Sequence, residues 1–516
     1  MTEILTATQM RAVEAAAMAS GGATDGEAGA LTGAGLMRRA AAEVVAAMRS
    51  EWPERCLAGQ AAVVLCGPGN NGGDGAEIAR LLAALGMAVT LVALPGTPGP
   101  DAQAMRAGFA GPVIAPEALT WEMLAAKPLV VDALFGIGLS RPLAGGVWGL
   151  LGMAQESGCP LVAVDILSGL CADSGRVLAE GDYIDHPADL TVTFHAAKPG
   201  HYLDQGGFFT GKLVVADIGL GTTVAAIPAA EEVALITGPL RSLSKIGRHK
   251  YEHGHAVVLS GGPGRGGAAR LAARAALRIG AGLVTLVCPP TALTENAARL
   301  EAIMLRSVAD AYALQGLLQD KRINAVCLGP GLEDPRARAT VPQVLALARP
   351  TVLDADALTA FALDPSVLFG LLHADCVLTP HEGEFARLFP DLAERLRAPA
   401  ESGPAWSRLD AVRAAAARAG CVVLLKGADT VIAAPDGQAT ISAATGAAAA
   451  PWLATAGAGD VLAGLITGLL ARGHAPFSAA CSAAWLHAEV ARDFGPGLIA
   501  EDLPEALPGL LRRLGA

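Results

Sequence analysis

The chain has 516 residues, 52% of them hydrophobic and 17% charged, with a formal net charge of −11. That length predicts two or more domains. The acidic balance argues against a general nucleic-acid surface, while leaving open anionic ligands gripped by backbone N–H groups.

The N-terminus, Met1-Thr2-Glu3-Ile4, has neither a basic region nor an apolar core, so no secretory signal is expected. Residues Gly21 to Gly35 are rich in Gly and Ala and predict a loop between two N-terminal helices. Six strands are then expected at 61–66, 88–94, 129–135, 161–166, 190–194 and 212–218. The first of these runs into Gly67-Pro68-Gly69-Asn70-Asn71-Gly72-Gly73-Asp74-Gly75 and a helix-like segment from Ala76 to Leu85. Strand, glycine-rich turn and helix place backbone N–H groups against an anion. The run differs from G-x-G-x-x-G, and its amide oxygens and carboxylate suit a hard cation or a polar ring. Asp132 and Asp165 each end a strand-like run, where ligands of open parallel sheets bind. Asn71, Asp132 and Asp165 are therefore expected along one edge.

A stretch rich in Gly, Pro, Thr and Ser between Gly219 and Arg248 predicts a hinge, dividing the chain into domains 1–225 and 226–516. The second half predicts strands at 255–261, 283–288, 324–329, 351–354, 376–379, 421–425 and 430–434. Short Val/Leu runs alternating with helical segments make both halves α/β with mainly parallel sheets. Arg270, Arg274 and Arg278 fall on one helix face and read as a solvated surface in preference to a phosphate clamp. Pro390 to Trp406 reads as a surface excursion. Near the end, Ala456-Gly457-Ala458-Gly459-Asp460 leads into the apolar run Val461–Leu470. An aspartate there is either a helix cap or a base beside a site for developing negative charge. That apolar run is about half of the ~20 residues a membrane-spanning helix needs, so no membrane association is expected. The nine cysteines form no C-x-x-C pair, which suits a reducing cytoplasm and no zinc site.

The first half resembles the NAD(P)H-hydrate epimerase family, the YjeF N-terminal domain. The likeness rests on Leu36-Met37-Arg38-Arg39-Ala40, the Gly67–Gly75 loop, Asp132 to Leu139, Asp165 to Gly169, Thr191-Val192-Thr193-Phe194 and Lys198-Pro199-Gly200. It implies a Rossmann-like fold that binds a hydrated nicotinamide cofactor and a potassium ion. By motif, Asn70, Asn71, Gly72, Gly73 and Asp74, the loop Gly136, Ile137, Gly138, Leu139, Ser140, Arg141 and Pro142, and Asp165 would hold the substrate. Asn71, Asp132 and Ser168 would ligate potassium, and Asp165 would transfer the proton. Leu167 stands where the family usually has Pro.

The second half carries His249-Lys250, the loop Gly261 to Ala268, Leu328-Gly329-Pro330-Gly331, Leu353-Asp354-Ala355-Asp356, Thr379-Pro380-His381-Glu382-Gly383-Glu384, Lys426 to Thr430 and Gly457 to Asp460. In that order these motifs resemble the ADP-dependent NAD(P)H-hydrate dehydratase family, which implies a ribokinase-like fold. Lys426, Gly427, Ala428, Asp429, Thr430 and Gly459 would contact the nucleotide. Ala268, Gly331, His381 and Asp460 would contact the hydrate, with Asp460 as base. Tyr251 and Ala458 depart from the family's usual Gly and Thr. The implied chemistry is phosphoryl transfer that turns a poor hydroxyl leaving group into phosphate, with Mg²⁺ offsetting nucleotide charge. The products would be NADH or NADPH from the hydrates NADHX and NADPHX, made by a cytoplasmic homo-oligomer that uses ADP. Two rivals stand beside this reading: a vitamin or sugar kinase on the same second fold, and a first half that only binds.

Overall fold

The computed structural model describes residues 1–19, 31–178, 187–221, 228–247 and 249–516. Most of the predicted loop Gly21–Gly35 and part of the predicted hinge lie outside these residues. Gly33 and Gly35 do not belong to a loop: they open the helix Gly33–Glu51, whose Thr32 hydroxyl caps the Gly35 N–H at 3.0 Å. The chain forms two compact units. One comprises Glu3–Pro228 and Pro399–Ser407; the other comprises Met1–Thr2, Ala229–Ala398 and Arg408–Ala516.

The first unit is built on a seven-stranded sheet, parallel throughout, in the order 113–114, 88–93, 61–66, 129–133, 161–164, 190–194, 212–216. The central strands are Val- and Leu-rich because helices cover both faces of the sheet and leave them no face for water. From the strand Ala61–Cys66 the chain moves outward to one side and then returns to the other at Leu129–Ala133. That reversal is a topological switch point, and it opens a crevice at the carboxyl ends of these two strands.

The second unit has a sheet in which 304–307, 283–288, 255–259, 325–328, 351–353, 376–378 and 422–425 are parallel neighbours. An antiparallel meander, 422–425, 429–433 and 439–443, closes one side, and 233–235 pairs beyond it. Its switch point lies between His255–Leu259 and Ala325–Leu328. The apolar helix Ala458–Ala471 packs closely on Gly267–Arg278: a Cβ on Gly464 would stand 2.1 Å from the Ala272 carbonyl oxygen. That contact fixes the start of the helix, and Asp460 with it. Among the described residues no helix is long and apolar enough to cross a membrane.

One further sequence expectation changes. The stretch Pro390 to Trp406 is not one exposed excursion: Pro390–Arg397 is a helix, and residues 399–407 pack within the first unit. There Gly403 donates its N–H to the Ser140 carbonyl at 3.1 Å, and Ala405 lies in an apolar cluster with Cys171 and Leu178. The arginine face stays partly in solvent, as expected, and is ion-paired: Arg270 meets Glu295 at 3.0 Å, and Arg274 and Arg278 share Glu505.

Candidate active sites

In the first unit, the switch-point crevice is a cavity of about 620 Å³. Its walls come from the loop after Ala61–Cys66, the loop after Leu129–Ala133, Asp165 and the N-terminal helix Ala7–Ala19. Gly67 allows the first two loops to close on each other, since a Cβ there would lie 1.7 Å from the Leu134 carbonyl oxygen. The glycine-rich stretch is only partly a turn. The helix already begins at Asn70, with Gly69 as its extended N-cap.

Of the predicted substrate contacts, Asn70, Asn71, Asp74, Gly136, Ile137, Gly138, Leu139 and Asp165 line the cavity. Gly72 and Gly73 are instead buried: a Cβ on Gly72 would stand 1.9 Å from the Gly67 carbonyl oxygen, and one on Gly73 would meet Ala102 at 2.9 Å and the Met37 sulfur at 3.0 Å. Ser140 and Arg141 are exposed and Pro142 is half-buried, on the outward part of their loop.

Asp165 sits just past its strand with φ of 69°, left-handed for a residue with a Cβ. Its position is set by a dense polar network. Asp165 Oδ1 accepts from Thr193 Oγ1 at 2.7 Å and from Lys198 Nζ at 2.9 Å. Lys198 is fully buried and also donates to Thr193 Oγ1 and the Phe194 carbonyl. His201 Nε2 lies 2.8 Å from the Asp165 carbonyl oxygen, and its Nδ1 accepts from the Lys198 N–H. Burial alone would raise the Asp165 carboxyl, but Lys198, Thr193 and His201 more than offset it and hold it below the ordinary range. The buried His201 ring is pushed down to about 4, by burial and then by the Lys198 charge, and stays neutral. Asp74 goes the other way: burial, Asp165 and Glu14 raise it well above a usual carboxyl.

Asp132 and Ser168 lie together beneath this cavity. Asp132 is fully buried and accepts from the Ser168 hydroxyl at 2.6 Å, the Ser168 N–H at 2.7 Å and the Leu134 N–H at 3.2 Å. Burial pushes its carboxyl up to about 6 against those hydrogen bonds. The Asn71 Nδ2 is buried without a partner.

In the second unit, Gly261 and Gly331 close the switch point as Gly67 does in the first. A Cβ on Gly261 would stand 1.8 Å from the Gly331 carbonyl oxygen, and one on Gly331, at φ 64°, would be 3.7 Å from the Ala268 Cβ. Ala268 and Gly331 are thus brought together as expected neighbours of one ligand. Asp460 is the third residue of the helix Ala458–Ala471, after the left-handed Gly457. Burial and then the Asp354 charge push its carboxyl up to about 7, although Lys426 pulls it down.

Lys426 is tied into an acidic group. Its Nζ lies 2.7 Å from Asp354 Oδ1 and 3.8 Å from Glu384 Oε2. Gly459 lies against this lysine, for a Cβ on it would come within 3.3 Å of Lys426 Nζ. The turn from Gly427 to Thr430 is closed by the Thr430 hydroxyl, which accepts from the Gly427 N–H and donates to its carbonyl. Buried Arg408 braces it, donating to the Lys426 carbonyl at 2.6 Å, with its Nε 3.5 Å from Asp429 Oδ1 and Glu382 bound at 2.7 Å. Ala428 accepts from the Ala444 N–H at 2.6 Å. His381 is half in solvent and caps the helix Glu382–Leu388, accepting from Gly383 N–H at 2.9 Å, while Glu384 reaches back to the His381 N–H.

Sequence reasoning gave no role to Lys198, Thr193, His201, Glu14, Asp354, Glu384 or Arg408. Thr193 and Lys198, Asp354 and Glu384 do occur within the motifs quoted above. Glu14 and Arg408 carry no sequence signal at all; the fold alone brings them in.

A family model described as the YjeF-related protein N-terminus matches residues 33–200, and one described as NAD(P)H-hydrate dehydratase matches residues 256–507. A bifunctional NAD(P)H-hydrate repair enzyme from Moorella thermoacetica is 37% identical, covering 93% of this chain and 92% of that protein. One from Escherichia coli is 34% identical over 91% of this chain and 87% of that one. Among solved structures, an ADP/ATP-dependent NAD(P)H-hydrate dehydratase from Bacillus subtilis, co-crystallised with ATP and Mg²⁺, is 26% identical with a TM-score of 0.42, over 53% of this chain and 94% of that one. A ribokinase-like superfamily protein from Enterococcus faecalis is 23% identical with a TM-score of 0.42, over 52% and 90%.

Proposed function

This chain belongs to the family of bifunctional NAD(P)H-hydrate repair enzymes, and we propose that its two units divide the repair between them. The first unit interconverts the R and S epimers of hydrated NADH or NADPH. The second dehydrates the S epimer to NAD(P)H at the expense of ADP, releasing AMP and phosphate. The observation that carries this reading is the contrast between two strand- or helix-end carboxylates. Asp165 is held ionised by Lys198, while Asp460 is poised near 7 behind glycines. A base that titrates near the working pH is the efficient kind for taking a hydroxyl proton.

In the second unit, Asp460 would accept the proton of the substrate hydroxyl as that oxygen takes the phosphoryl group. The N–H groups at the start of its helix face the incoming negative charge. Lys426, fixed by Asp354, adds a positive charge close to the Gly459 backbone. The phosphate so formed then leaves, driven by the ring nitrogen's electron pair, and the resulting cation loses a proton from the neighbouring ring carbon to give NAD(P)H.

The residues around Asp132 suit a potassium ion. A fully buried carboxylate joined to the Ser168 hydroxyl, with no cationic side chain among its contacts in the described residues, offers oxygen donors and one negative charge, and the Asn71 amide stands in the wall of the cavity. Asn71, Asp132 and Ser168 would hold the ion, which when bound supplies fixed positive charge beside the substrate. For magnesium, no group of three His, Cys, Asp or Glu among the described residues is arranged as a metal site. Mg²⁺ would therefore enter on the nucleotide phosphates, taking few protein ligands. All nine cysteines are buried and unpaired, which supports a reducing, cytoplasmic setting.

The deciding experiment incubates the protein with an epimer mixture of hydrated NADH and either ADP or ATP, following the reduced-nicotinamide absorbance and free phosphate. Full conversion of both epimers, with phosphate released, is expected. A stable phosphorylated product without recovered NADH would make the second unit a kinase.

A further inference from the structure

Asp74 and Asp165 line the same cavity but sit in opposite surroundings. One oxygen of Asp165, Oδ1, is taken up by Thr193 and Lys198. The other, Oδ2, faces the glycine wall, 3.4 Å from where a Cβ on Gly136 would stand. Asp74, in the second turn of the helix Asn70–Ala84, has neither a cation nor a hydrogen-bond donor on its carboxyl among the described residues. The other charged groups that line the cavity are Arg11, Glu14 and Asp101. Lys198, the one buried lysine among the described residues, is committed to Asp165.

Resting on the epimerase reading of this unit, we propose that Asp74 is the general acid of epimerisation, working against Asp165 as the base. Carboxyl groups crowded around one cavity cannot all ionise freely. Lys198 settles which one does. Asp165 gains from its charge through Lys198 and Thr193, whereas Asp74 would gain nothing and keeps its proton, as its strongly raised titration agrees. Two carboxyl groups driven apart in this way divide the roles of acid and base between them.

The hydrate carries its hydroxyl on the carbon bonded to the ring nitrogen. Asp165 Oδ2 takes the hydroxyl proton, and the freed electron pair forms a carbonyl. The carbon–nitrogen bond breaks with its pair going to nitrogen, and Asp74 gives its proton to that nitrogen. The opened chain turns the other face of the carbonyl to the nitrogen. Closure runs the same steps backwards, with the nitrogen's proton returning to Asp74 and the Asp165 proton to the new hydroxyl. The configuration is inverted, and no proton or electron is gained or lost.

The test uses the full-length protein without nucleotide, so that dehydration is silent, and follows conversion of the pure S hydrate of NADH to R by chromatography across pH. The wild type is expected to lose rate at low pH as Asp165 is protonated and at high pH as Asp74 ionises. Asp74→Asn should lower kcat by about 10²–10⁴-fold, leave KM within threefold, and abolish the high-pH fall. Asp74→Glu, which keeps an acid, should restore part of the rate and the high-pH fall; it carries the test if a melt shows the Asn variant unfolded. An Asn variant with at least a third of wild-type kcat, or an unchanged high-pH fall, would overturn the role. Oxygen-18 in the hydroxyl should be retained through one turnover; loss to water at the rate of epimerisation would overturn the ring-opening step. A wild type that never forms the R epimer would defeat the epimerase reading itself, an outcome distinct from an active wild type with an active Asn variant.

Discussion

Lys198 Nζ lies 2.9 Å from Asp165 Oδ1, with the lysine side chain 1% exposed and the aspartate 11%. A charge pair so far from water has one safe state, with both partners present. Removing one leaves the other buried and alone, at a cost of about 3–5 kcal/mol. We expect Lys198→Met to lower stability by that order and to slow epimerisation.

The pH dependence of that loss has a definite sign. The folded Asp165 is held below the ordinary carboxylate range, so its contribution to stability is present above that range. It is lost as pH falls through the folded value. The gap between the melting temperatures of wild type and Lys198→Met should therefore be full at pH 7 and narrow towards pH 3. A gap independent of pH would show that the lysine matters only for packing.

Asp460→Asn should reduce dehydration by about 10²–10⁴-fold, as loss of a positioned base does, with epimerisation unchanged. Stability should move the opposite way. Asp460 titrates near 7 when folded, so its charge opposes folding most strongly above that value, and the penalty fades as pH falls towards 4. The variant should melt above the wild type at pH 8 and match it at pH 4. Normal dehydration by the variant would reduce Asp460 to a helix residue.

Asp132→Asn should remove the response to potassium. At pH 7 potassium should raise the melting temperature of the wild type more than sodium does. The effect should shrink below pH 6, where the Asp132 carboxyl picks up its proton. A normally folded Asn variant with an intact potassium response in both melting and epimerisation would refute the ion site.

Gly464→Ala tests how Asp460 is positioned. The new methyl would stand 2.1 Å from the Ala272 carbonyl oxygen, so the two helices must separate. Overpacking of this kind costs about 1–3 kcal/mol. Because Asp460 rides on the same helix, kcat for dehydration should fall alongside the melting temperature, and epimerisation should not.

The alternation of apolar runs and helical segments was enough to place the sheets, because buried parallel strands must be Val- and Leu-rich over their whole length. Ala439–Ala443 and Met304–Ser307 escaped notice for the converse reason: they contain Ala, Thr, Ser and Arg and are held by their neighbours. The glycines of 67–75 were legible as special, but their purpose was mixed. Gly67 serves loop closure, whereas Gly75 lets the helix lie on the sheet, with the Ala133 Cβ only 2.6 Å from where its own would be. Composition cannot separate those two demands. Lys198 illustrates a further limit. In the sequence it is one more lysine beside Pro199-Gly200, and only the folded chain shows that it is buried against an aspartate 33 residues earlier.

The segment Pro399–Ser407 has a consequence for how this chain could be divided. Its Ala405 covers Cys171 and Leu178, and its Gly403 binds the backbone beside Leu139. A gene cut at 225/226 would yield an epimerase fragment that is missing a piece of its own wall. The two activities are therefore not beads on a string. Any split, swap or circular rearrangement would have to carry those nine residues along or supply a patch in their place.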